Sequence, residues 1–201
     1  MTLRRLSSVL VALAIAVSSA EVAQAQLNGT PVFAAPYRAF RTSEYGAAVS
    51  SAADFSLEGF YGYGKGKFDI EIRGGFVDLG VGTQVVGGVQ VRQRVLTNSQ
   101  QFPLDGALVF GASVNAGDAP TQLAIPVGLS LGRRFLLEGT KTSFVPYVQP
   151  FAALALADGD TQLIGGLGLG VDIRLSDVID LRVGGGIGDI EGVSVGLAIV
   201  R

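Results

Sequence analysis

Asp69 and Glu71 stand two residues apart, so in an extended chain they project from one face. A carboxylate pair of this kind is what general acid–base catalysis would need, one member protonated and the other ionised. Arginines recur beside them in the same phase, however. Arg73 follows Glu71 on the same face, and a tight turn at Gly80-Val81 brings Arg92 opposite Asp69, with Glu71 diagonal to it. Carboxylates flanked by guanidinium groups suit ion pairs better than proton transfer. Histidine, cysteine and tryptophan are all absent. The lack of the first two excludes Ser-His-Asp and Cys-His nucleophiles, disulfides, and thiolate or imidazole metal sites. Asp158-Gly159-Asp160 offers two carboxylates, far short of the roughly six oxygens calcium requires, so a hairpin turn is expected there. The runs Gly165–Gly170 (GGLGLG) and Gly184–Gly188 (GGGIG) fit neither nucleotide-loop spacing, and no helix pattern follows them. No catalytic group, metal or cofactor is expected.

The elements that must position these charges follow from composition. Hydrophobic residues make up 48% of the 201, charged residues only 16%, and 29 are glycine. A formal charge of −2 leaves no basic footprint for nucleic acid. Met1–Arg5 carries two arginines, Leu6–Val17 is an apolar run, and Ala23-Gln24-Ala25 places small residues at the two positions a signal peptidase reads. That order predicts a secretory signal peptide over residues 1–25. Residues 26–43, with two prolines and no period, are expected to form an N-terminal periplasmic leader. No later apolar run is long enough for a membrane-spanning helix.

From residue 44 to 201 the chain alternates with period two between glycine-, aspartate- and serine-rich turns, the mark of half-buried strands. Ten strands are predicted, at about Tyr45–Ser50, Phe55–Tyr63, Phe68–Asp78, Thr83–Leu96, Ala107–Ala116, Gln122–Phe135, Val145–Ala157, Thr161–Leu175, Ile179–Ile187 and Val193–Val200. Eight result if Tyr45–Tyr63 is one strand and a terminal segment is not a strand. Most are longer than the usual soluble strand, and their connections are short enough to demand hairpins. The predicted fold is all-β, a closed antiparallel up-and-down transmembrane β-barrel. Pro126, Pro146 and Pro150 would break ladder bonds, so bulges are expected there, and the facing of Val145–Ala157 stays open.

Each strand has one greasy side and one small or polar side. The greasy sides are Leu, Val and Ile with few aromatics, which suits lipid chains. The polar sides carry few lysines, unlike a solvated outer face. Tyr61, Tyr63 and Phe68 flank one hairpin and Phe135 and Phe144 another, as in an interfacial girdle. The predicted lipid-facing set is therefore Ile70, Ile72, Val89, Val91, Leu129, Leu167, Leu169, Val171, Ile173, Val195 and Leu197. Lining the lumen are expected Glu58, Asp69, Glu71, Arg73, Arg92, Arg94, Arg134, Asp172, Arg174, Asp180 and Arg182. A loop at Ser176-Asp177-Val178 would set Arg174 opposite Asp180 and Asp172 opposite Arg182. These charges could line a selective passage or cross-link a closed interior; so few strands leave little room, which favours the second. The inward glycines Gly166, Gly168, Gly170, Gly184, Gly186 and Gly188 could open space or admit bulky neighbours, and the sequence leaves both open.

The signal segment, the glycine-rich alternation and the stretch FVPYVQPFAALALAD (Phe144–Asp158) resemble the small outer-membrane β-barrels of Gram-negative bacteria, the OmpA-, OmpX- and OmpW-like group. The resemblance covers roughly Tyr45–Arg201. It implies residence in the cell outer membrane, contact with outer-membrane lipid, and biogenesis through periplasmic chaperones and the barrel-assembly machinery. On this reading the protein is a structural scaffold or a narrow passive pore with a charge-paired lumen, and no enzyme. The alternative is a secreted soluble β-barrel that binds a small apolar ligand, its Leu/Val/Ile faces turned inward.

Overall fold

Side-chain alternation sets the strands, and the strands close into one sheet. The computed structural model describes residues 33–37, 40–51, 55–80, 82–157 and 159–201. The expected signal peptide, half of the leader (residues 26–32, 38 and 39), residues 52–54, Val81 and Asp158 lie outside the described residues. The strands are β1 (Ser43–Ser50), β2 (Phe55–Lys65), β3 (Phe68–Asp78), β4 (Thr83–Leu96), β5 (Asp105–Gly117), β6 (Gln122–Gly132), a two-residue β7 (Phe135–Leu136), β8 (Ser143–Ala157), β9 (Asp160–Arg174), β10 (Ile179–Gly188) and β11 (Gly192–Val200). Every long strand pairs antiparallel with its chain neighbours, while β6 pairs with β8 across the β7 excursion and β1 pairs with β11. Ten long strands thus form a closed up-and-down barrel with no free edge.

Both ends of the strand path meet at one rim, where the Arg41 and Thr42 amides donate to the Arg201 carbonyl. This terminal end also carries the longer connections at residues 97–104 and 133–142. The connections at the opposite, far end are shorter, at residues 51–54, 79–82, 118–121, 158–159 and 189–191. At the terminal-end hairpin after β2, Gly66 takes φ 63°, a left-handed conformation that the two-residue turn requires and a side chain resists.

Burial follows the period-two pattern. Strand β2 alternates strictly between exposed and buried along its whole length. The prolines disturb this less than expected. Strand β8 runs unbroken through Pro146 and Pro150, both of which point outward, so Val145, Tyr147, Gln149 and Phe151 face inward. No register shift occurs at the prolines; the β5–β6 ladder merely lapses beside Pro126. A bulge sits instead in β4, between Arg94 and Leu96.

The outer surface is apolar. Ile70, Ile72, Val89, Val91, Leu129, Leu167, Leu169, Val171, Ile173, Val195 and Leu197 all stand on outward positions; Ile72 is 58% exposed and Leu197 55%. Among the described residues, no outward strand position between Lys65 at one rim and Asp78 at the other carries a charge. Aromatics gather at the margins, with Tyr45, Tyr63 and Phe68 exposed toward the terminal end and Phe55 and Phe76 toward the far end. The Phe135 and Phe144 rings stack with centroids 5.2 Å apart where β7 meets β8. The alternative arrangement, with leucines and valines enclosed, is corrected by this placement: charge is enclosed and hydrocarbon is displayed.

Candidate functional site in the barrel interior

Opposed strands bring inward charges together in the expected register. Asp69 faces Arg92, Arg174 faces Asp180, and Asp172 faces Arg182. Two of these three cross-strand pairs become ion pairs: Arg92 Nε donates to Asp69 at 2.9 Å, and Arg174 Nε donates to Asp180. The third does not. Arg182 instead reaches Glu44 of β1 at 2.5 Å and Glu71 of β3 at 3.7 Å. Arg73 then joins Glu71 at 2.6 Å and Glu58 at 3.8 Å, so one network links four strands. Phe60 lies among them, its ring 5.5 Å from the Arg73 guanidinium and 5.4 Å from that of Arg182. Charges so enclosed need partners to persist, and here arginine delocalises over two carboxylates at once.

Ten of the eleven expected lumen residues stand on inward strand positions: Glu58, Asp69, Glu71, Arg73, Arg92, Arg94, Asp172, Arg174, Asp180 and Arg182. Arg134 does not, because β6 ends at Gly132, two residues before it. It is exposed at the terminal rim, stacked 4.8 Å over the Tyr37 ring. Sequence reasoning missed Glu44, whose exposure is 1%. The signal was present: Glu44 is in inward phase with Ala48 and Ser50, but the predicted strand began one residue late.

The larger omission precedes β1. Phe33–Tyr37 and Phe40, expected in a leader ahead of the barrel, lie inside it. The Ala34 amide donates to Gln149 Oε1 at 3.2 Å, and Ser130 Oγ donates to the Ala34 carbonyl at 2.5 Å. Arg92 donates to the Ala35 carbonyl, and the Tyr37 hydroxyl donates to Asp105. Ala35 is fully buried. A segment outside any strand ladder has unpaired backbone groups, and inward Gln, Ser and Arg side chains supply the missing partners. Proline, alanine and lack of period concealed this, since the segment pairs with side chains rather than with a strand.

Glycine makes the room. A Cβ on Gly168 would overlap the Phe33 ring, and one on Gly186 would stand 3.1 Å from it. Gly170 likewise receives Tyr147, and Gly166 receives Phe151. These inward glycines thus admit bulky neighbours. Gly188, by contrast, sits at the far-end turn with φ 110°. Accordingly Gly168→Val is expected to crowd Phe33 and cost about 1–3 kcal/mol. Gly87→Val on the outer face, where a Cβ meets nothing nearer than the Arg73 carbonyl at 4.0 Å, should change stability by less than about 0.5 kcal/mol. Urea midpoints of the two variants in detergent check the contrast.

The segment divides the interior. On its terminal side lies a cavity of about 760 Å³ lined by Tyr37, Phe40, Asp172, Arg174 and Asp180 among others. On its far side lies a smaller cavity of about 60 Å³, beside Phe33, Arg73 and Phe151. Beyond that, Ala124, Ala153 and Ile164 pack with Ala155 and Ile190. Among the described residues no group of three or more carboxylates is placed to hold a metal ion.

No family model matches this chain. No curated protein sequence does either. Solved structures resemble it in fold. A bacterial polysaccharide outer membrane secretin superposes with TM-score 0.45 at 13% identity, covering 77% of this chain and 57% of that one. The chain therefore spans little more than half of the secretin chain. A de novo designed transmembrane β-barrel gives 0.39 at 17% identity, covering 79% and 93%. The β domain of the Bordetella autotransporter BrkA gives 0.40 at 15% identity, covering 79% and 98%. These three TM-scores all lie below 0.5, and the function proposed below rests on the chain's own residues.

Proposed function

We propose that this chain is an integral outer-membrane β-barrel with a structural role, exported by the segment Met1–Ala25 and closed internally by Phe33–Tyr37. The observation that carries the reading is the charge-free outer band. A surface of exposed Ile, Val and Leu between aromatic margins is costly in water and suited to acyl chains. From Phe55 to Tyr63 on β2 the margins are eight residues apart, roughly 27 Å along the strand at ~3.4 Å per residue. Tilted by ~40°, that spans about 20 Å, near the apolar height of such barrels. The OmpA-, OmpX- and OmpW-like grouping, with outer-membrane lipid as partner and chaperones and assembly machinery in biogenesis, belongs to the same proposal. It rests on the alternation and on Phe144–Asp158.

Mature protein from Gln26 onward should stay monodisperse only in detergent or lipid; monodisperse protein in plain buffer would overturn the membrane reading. In planar bilayers the same protein should be silent, whereas a chain starting at Arg41 should conduct. Equal conductance from both would contradict closure by the inner segment and favour a narrow passive pore.

A further inference from the structure

We propose that the terminal-end cavity is a binding site for a small zwitterion, its ammonium group directed at Asp172 and its anionic group at Arg41 and Arg134. Three aspartates line this cavity, and two are committed. Asp180 holds Arg174, and Asp177 holds Lys141 at 2.6 Å. Asp172 makes no ion pair within 4 Å among the described residues: Arg182 and Arg92 face it electrostatically, but the ion pairs of its cross-strand neighbour Arg182 go to Glu44 and Glu71. Its residue exposure is 9%, and its Oδ1 atom has no hydrogen bond. Oδ1 itself is closed off from the cavity, so a ligand ammonium would meet the part of the Asp172 side chain that lines it, bringing three donors to a carboxylate without an ion pair.

The walls say what kind of cation enters. Val145, Val200 and Phe40 line the same space, so an aliphatic stem is accommodated. With about 760 Å³ available, the cavity is far larger than a bare inorganic ion needs. Its mouth carries Arg41 and Arg134, neither in a salt bridge among the described residues. Arginines at the entrance repel a simple amine and attract a carboxylate or phosphate. A molecule bearing both charges satisfies floor and mouth together. This site goes beyond the structural role above and does not depend on the membrane, since it is formed by the folded barrel alone.

The test is calorimetry on the folded mature protein in non-ionic detergent, using 6-aminohexanoate, hexylamine and hexanoate as probes. Saturable binding of 6-aminohexanoate, at least tenfold tighter than either single-charge probe, is expected. Asp172→Asn should abolish it. Arg134→Gln should erase the preference over hexylamine while leaving Asp172-dependent binding of hexylamine intact. Retained heat-modifiable migration of both variants establishes that the barrel is folded. Should a folded Asp172→Asn variant not be obtained, loss of 6-aminohexanoate preference in Arg134→Gln still decides the point. No saturable binding by the unaltered protein, or binding unchanged in folded Asp172→Asn, overturns the proposal.

Discussion

Replacing Ile72 by arginine should destabilise the folded protein in a phospholipid bilayer by about 2–4 kcal/mol, the cost of a cation on the lipid face near the midplane. Ile72 is the central outward residue of β3, flanked by Ile70 and Gly74 and 58% exposed. The same change at Tyr63, beside the terminal rim, should cost roughly 0–1 kcal/mol, because the guanidinium reaches water there. Reversible urea unfolding in lipid vesicles measures both. Exposure in water would make the two substitutions alike, each within about 0.5 kcal/mol, as for ordinary surface positions. The depth dependence, more than either value, would identify lipid as the solvent of this surface.

Removing Arg182 should cost still more. In Arg182→Met the Glu44 carboxylate loses its ion-pair partner while staying enclosed, and Glu71 keeps its ion pair with Arg73. Breaking a buried ion pair from one side costs about 3–5 kcal/mol, since an uncompensated charge is left behind. Adding Glu44→Gln should recover part of the loss, because the stranded charge goes with it. The unfolding midpoints of the single and double variants, in one detergent, read out this coupling. A cost below about 1 kcal/mol for Arg182→Met would mean that water screens the interior as it does surface pairs. That result would favour an open passage over a cross-linked one.

Much of this was legible from residue alternation. Period two identifies faces without any knowledge of pairing, and short hairpins then fix register. Asp69 opposite Arg92 and Arg174 opposite Asp180 follow from two turns alone. What failed to follow was anything crossing the lumen. Arg182 bonds to Glu44 from two strands away, past the small residues of β11. No local rule announces such a contact, because it depends on closure of the sheet and on which side chains are long enough. The segment Phe33–Tyr37 was invisible for a related reason. It has no amphipathic pattern, lying inside the barrel outside any strand ladder, and its partners are side chains scattered over β4, β6 and β8. Only the inward glycines hinted at it. Gly168 is a vacancy whose occupant, Phe33, lies 135 residues earlier in the chain.

The chain's lack of cysteine permits a direct test of which face meets lipid. Single cysteines placed along β3 from Asp69 to Phe76 can carry a nitroxide label in reconstituted vesicles. Collision with oxygen reports hydrocarbon, and collision with a water-soluble nickel chelate reports aqueous exposure. Labels at Ile70, Ile72, Gly74 and Phe76 should favour oxygen, most strongly at Ile72. Those at Asp69, Glu71, Arg73 and Gly75 should be shielded from it, in strict alternation. Chelate access at the outward positions, or no period-two signal along the strand, would contradict the membrane-facing assignment.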